Sequence, residues 1–232
     1  MITNFIKKFF LESRNVFFLN IFAMLCQIFA TSVMYIFFKK KKIARLFLPY
    51  TFSALLLLIL NQIVVAYYNT STHIVEPANI LFSLIEYVTF YLYFNEILLS
   101  KIVRKIMTVF LVMYTILSFG SCTYIVSSSP SKHTTMKISD FLITPELVFL
   151  AGLCSVYYRE LFKQKLISPQ ANASIWIVTA LFIYSIIIAP FFIISDELLS
   201  RYSLYLAAYM MHYMSFGCLF LAIAKALLVK ND

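Results

Sequence analysis

Glycine is nearly absent from this chain, with three residues in 232. That scarcity excludes a Gly-rich phosphate loop, which needs backbone N–H groups brought close to a nucleotide. Charge is scarce as well: 12% of residues are Asp, Glu, Lys or Arg, against about a quarter in a soluble domain. Four cysteines occur, Cys26, Cys122, Cys154 and Cys218, each alone inside an apolar stretch. No CxxC and no Cys/His ligand spacing exists, so neither a disulfide framework nor a zinc site is expected. The thiols read as small apolar packing groups. GxSxG and HExxH are missing too. No enzyme motif, metal or cofactor is therefore expected.

Apolar residues fill the chain instead. It is 62% hydrophobic with a mean hydropathy of +0.88. A helix crossing the ~30 Å hydrocarbon core needs about 20 residues. Runs of that kind lie at 16–38, 46–68, 78–98, 106–126, 145–162, 174–194 and 202–227. The expected fold class is all-α, a single seven-helix polytopic membrane domain over 1–232. The connections are too short to hold a soluble domain. Residues 1–14, with Lys7, Lys8, Glu12 and Arg14 among aromatics, read as an amphipathic segment on the membrane surface. No cleavable signal peptide is expected, because the run that follows is too long and lacks a small-residue cleavage site.

The breaks between spans carry the charge. Lys39–Lys42 with Arg45, then Lys101, Arg104 and Lys105, then Arg159, Lys163 and Lys165, and finally Lys225 and Lys230 fall on one side, thirteen of the 19 Lys and Arg. The positive-inside bias then predicts a cytoplasmic C-terminus and an external N-terminus. The net charge of +9 sits at membrane edges, where it attracts anionic lipid headgroups; nucleic acid is not an expected partner. Residue usage rich in Ile, Lys, Phe, Tyr and Asn points to a bacterial inner (plasma) membrane. The acceptor pattern Asn69-Thr70-Ser71 is for that reason expected to carry no glycan.

Ionisable groups at membrane depth are costly and usually face a bundle interior. Pro77 suits the first helical position, which places Glu86 about 13 Å deep at 1.5 Å per residue. Asn79, Ser83, Glu86, Thr89 and Tyr93 form one polar stripe on the third span. On the seventh span His212 lies about 15 Å deep, in a stripe with Tyr205, Ala208, Tyr209 and Ser215. A carboxylate–imidazole pair at matching depth is one expectation; an ordinary interhelical hydrogen bond is the other. Gln27, Asn61 and Gln62 lie at middle or outer depth, and Pro190 is expected to kink the sixth span. The tentative ligand-binding set is Glu86, His212, Asn61, Gln27, Ser83 and Tyr209, around a polar pocket open to the outside. Glu146 reads differently: Thr144-Pro145-Glu146 has the form of a helix N-cap and first turn, with Glu146 at the outer interface. Lys225 reads as an interfacial lysine and not as a retinal attachment site, since Leu221 stands where an acidic residue would be expected.

The stretches "NILFSLIEYVTFYLY" (Asn79 to Tyr93) and "IWIVTALFIYSIIIAPFF" (Ile175 to Phe192) resemble spans of seven-helix bacterial membrane modules that occur alone or fused ahead of histidine kinases. The resemblance implies a stand-alone, sensor-like module acting through a cytoplasmic or membrane signalling partner, since the sequence stops at Asp232. A sensor binding a small or lipidic ligand is thus the first expectation. An intramembrane enzyme using Glu86 and His212 as acid and base is the second. A small-molecule transporter is the third, disfavoured by the bland inner half.

Overall fold

The computed structural model describes the backbone of residues 13–68, 72–163, 173–194 and 202–228, with side chains for 18, 21–60, 74–163, 173–194, 207, 208 and 210–228. Seven helices fill these residues, with no strand among them: α1 Ser13–Phe37, α2 Lys42–Tyr68, α3 Thr72–Ile97, α4 Lys101–Ser128, α5 Lys132–Lys163, α6 Ala173–Ile193 and α7 Tyr202–Leu228. Six of them, α2 to α7, are long and apolar enough within the described residues to cross a membrane. Their outward faces carry large apolar side chains such as Leu25, Ile59, Leu92, Ile116 and Ile186. An outer surface of that kind has lipid for its solvent, and the chain is an integral, multi-pass membrane protein.

Six of the helices close a ring. α1 packs on α2, α2 on α3, α3 on α5, α5 on α6, α6 on α7, and α7 returns to α1. α4 stays outside the ring, against α3 and more lightly α5. It is held there by a cluster of rings from three helices. Phe110 stacks on Phe149 with centroids 4.3 Å apart, and Tyr87 and Tyr114 lean on the same group.

One end of the ring is tied by basic and acidic side chains. Lys41 donates to the carbonyl of Leu227, and Lys42 pairs with Glu96 at 2.8 Å. Glu160 accepts from the backbone N–H groups of Leu99 and Ser100 ahead of α4. Lys225 lies over the Trp176 ring at 3.9 Å. These contacts bring together the α1–α2 turn, the α3–α4 turn, the start of α6 and the ends of α5 and α7.

Inward from this lysine-rich end lies an aromatic layer. Tyr50 stacks between Phe82 and Phe220, at 5.6 and 5.5 Å. Phe47 meets Phe90 and Tyr93 edge-on, and Phe216 meets Phe220 the same way. Each such pair contributes about 0.5–1.5 kcal/mol beyond area burial.

Two expected boundaries are corrected. α5 begins at Lys132 rather than at Pro145 and runs through that proline. Its cap is Ser131, whose hydroxyl accepts from the Thr134 N–H. Thr144, read as a cap, instead donates to the Asp140 carbonyl at 2.8 Å. Likewise α3 begins at Thr72, so Pro77 lies inside it. A proline disfavours but does not forbid a helix through the residue before it, and neighbouring helices can satisfy the freed carbonyls. The surface segment read over 1–14 lies outside the described residues as far as residue 12, and Ser13 and Arg14 open α1. The acceptor pattern at 69–71 also lies outside them.

Candidate functional site

A partly open cavity of about 280 Å³ sits inside the ring, lined by all six of its helices and not by α4. It occupies the half away from the lysine-rich end. Ala54 and Leu58 of α2 line it, beyond Tyr50; Ala208 and His212 of α7 line it, beyond Phe220. The aromatic layer therefore separates the cavity from the lysine-rich end.

α3 supplies the largest polar share because its stripe faces the ring's centre. Glu76, Asn79, Ser83 and Glu86 follow one another at steps of three, four and three, and all four line the cavity. Asn79 donates to Glu76 at 3.3 Å. Glu86 is 3% exposed, and its Oε1 accepts from the Tyr50 hydroxyl at 3.1 Å. Thr89, next on the stripe, donates back to the Ile85 carbonyl and does not line the cavity. α5 adds Ser139 and Asp140, and α6 adds Tyr184.

α7 and α1 form the opposite wall. His212 stacks on Phe216 at 5.6 Å and lies 6.0 Å from the Tyr184 ring. Its Nδ1 has no hydrogen-bond partner among the described residues. Gln27 of α1 is 1% exposed, lines the cavity, and has no partner for either amide atom among the described residues. An unpaired buried polar group costs about 1–3 kcal/mol, so this amide stands out. It faces room large enough for a molecule that would pair with it.

Of the six residues singled out from the sequence, Glu86, His212, Gln27 and Ser83 meet at this one cavity. The side chains of Asn61 and Tyr209 lie outside the described residues. Glu86 and His212 share the cavity, but no hydrogen bond or ion pair between them exists among the described residues.

Glu146 requires a correction. It is 1% exposed and far from any helix start. Its Oε2 accepts from Ser83 and, at 3.0 Å, from Tyr114. Ser83 and Tyr114 themselves lie 2.5 Å apart. Glu146 therefore pins α3, α4 and α5 together behind the cavity wall. Glu76 and Asp140 were not singled out either. Glu76 was detectable, one turn before Asn79 on the stripe already recognised. Asp140 lies before Pro145, where the fifth span was expected to begin.

Compared with protein-family models, curated proteins and solved structures, the chain matches none. The chemistry of the cavity has to be read from its own residues. A ring of carboxylate, amide, imidazole and hydroxyl groups above an aromatic floor suits a ligand that is polar on one side and apolar on the other.

Proposed function

We propose that this protein is a sensor or receptor-like membrane module whose six-helix cavity binds a small or lipidic ligand from the outer side of the bacterial inner membrane. The observation that carries the proposal is Gln27, a buried amide without a partner among the described residues, facing a cavity it shares with Glu86 and His212. A purely structural amide at that depth would be paired with a neighbouring helix. The aromatic layer on the far side of the cavity favours a pocket over a pathway, and so a receptor over a transporter. The outward orientation is supported by the collection of lysines and arginines at the opposite end. A cytoplasmic or membrane signalling partner would meet that lysine-rich end. The likeness of the third and sixth spans to sensor modules agrees with this reading.

An intramembrane acid–base enzyme is the second reading. It uses the same cavity and requires a substrate lying between Glu86 and His212, since they make no direct hydrogen bond.

Melting of the protein in lipid nanodiscs, screened against a small-molecule library, tests the proposal. A ligand that binds only the folded state stabilises it by about 2.7 kcal/mol at a hundredfold excess over Kd. Hits that raise the Tm of wild type but not of Gln27→Leu or His212→Phe are expected. Equal shifts in all three proteins, or none with any compound, would overturn it.

A further inference from the structure

We infer that the cavity takes an organic cation, a protonated amine carried on an aromatic or apolar body. This rests on the ligand-binding reading of the same cavity and names the ligand's class. Three carboxylates line the cavity, Glu76 and Glu86 on α3 and Asp140 on α5. Among the described residues no lysine or arginine lines it, and His212, on the opposite wall, is the one basic side chain in that lining. Lys132 acts on Glu76 from the outer end of α5, but among the described residues no such cation stands beside Glu86.

Acidic groups together do not make a site. The independent observation is Gln27, 1% exposed, which lines the same space and whose Oε1 has no partner among the described residues. That oxygen accepts an N–H, as an amine requires. The rest of the lining suits the same ligand. Phe82, Phe216 and Tyr184 present rings to the cavity, and ring faces attract ammonium groups within about 6 Å. Only Oε1 of Glu86 is engaged by Tyr50, which leaves Oε2 to receive a ligand donor. Charge on Glu86 is tolerated at this depth once it is paired, and a bound ammonium supplies the pairing. An anionic ligand would find no lysine or arginine among the described lining residues.

The test compares three molecules of similar shape on the full chain in zwitterionic nanodiscs: 2-phenylethylamine, 2-phenylethanol and phenylacetate. Only the amine is expected to raise the Tm, in a saturable way. Glu86→Gln should weaken its apparent affinity tenfold or more, with Asp140→Asn as a second variant should the first fail to fold. Glu96→Gln, at the lysine-rich end where Glu96 pairs with Lys42, should leave the amine response unchanged. A shift with the alcohol or the acid but not the amine would overturn the cation class while leaving the ligand-binding reading intact. No shift with the amine, or an amine shift that survives both Glu86→Gln and Asp140→Asn, would also overturn the cation class. The library screen decides the broader reading separately.

Discussion

Gln27 is buried and has neither amide atom paired among the described residues, so its replacement separates stability from binding. Gln27→Leu removes an unsatisfied group and should raise the Tm of the ligand-free protein, by the equivalent of about 1 kcal/mol. A fall in Tm, measured by intrinsic fluorescence in the same detergent, would show that the amide is paired after all. Glu146 should behave in the opposite way. It joins three helices through Ser83 and Tyr114, and Glu146→Leu takes the carboxylate from both hydroxyls and leaves them only each other. A loss of about 1–3 kcal/mol is expected, read as a shift in unfolding midpoint. Tyr50→Phe is the milder change. It keeps the stacks on Phe82 and Phe220 and deletes only the bond to Glu86, for a cost of about 0.5–2 kcal/mol.

At the scale of the element, the three glycines make an internal comparison. A Cβ at Gly217 of α7 would meet the Phe22 ring of α1 at 3.0 Å and Cys26 Sγ at 3.6 Å. α1 and α7 approach closely there, as small residues allow in membrane bundles. Gly120 and Gly152 have nothing within 4 Å of the same position. Gly120→Ala and Gly152→Ala should be neutral or stabilising by up to about 1 kcal/mol, since alanine is the better helix former. Gly217→Leu should destabilise by about 1–3 kcal/mol through overpacking of the α1–α7 seam. Melting curves of the three variants, recorded side by side, check the ranking. A destabilised Gly120→Ala would mean that α4 packs against something not seen in the isolated chain. The two prolines that misled the reading of boundaries, Pro77 and Pro145, also belong to this scale. Pro145→Ala restores a donor for the Phe141 carbonyl. Greater hydrogen-exchange protection over 141–145 is expected, with Glu146 kept in place.

For the whole molecule, the ring predicts a sided protein. With native cysteines replaced, Lys132→Cys should react with a membrane-impermeant maleimide in intact cells, and Lys40→Cys only after the membrane is opened. The reverse pattern would invert the orientation and put the cavity mouth on the cytoplasmic side. The seven helices were legible because each needs only length and apolarity, which are local properties of the chain. The helices lie where the apolar runs are, but α3 starts at Thr72 and α5 at Lys132, earlier than the expected 78 and 145. The fifth span reads short because Thr144-Pro145-Glu146 has the form of a helix start, whereas α5 runs back through it and turns Thr135 and Ser139 inward, where both are buried. The polar stripe on α3 was legible for the same local reason, since helical periodicity alone puts Ser83 and Glu86 on one face. Whether that face met His212 and Gln27 was not legible. Membrane helices are apolar all round, so their sequences carry little information about which neighbour each one chooses.

The sequence by itself determined a helical membrane protein, the approximate positions of its helices and the end at which its positive charge collects. These follow from the cost of exposing backbone and charge to hydrocarbon. Only the tertiary structure decided that six helices close a ring with α4 outside it. It also decided that Glu146 is a buried clasp and not a cap, and that Gln27, Ser83, Glu86 and His212 face one cavity. Those outcomes depend on close packing between helices distant in the chain, where a small residue such as Gly217 or a stacked ring such as Tyr50 selects the partner.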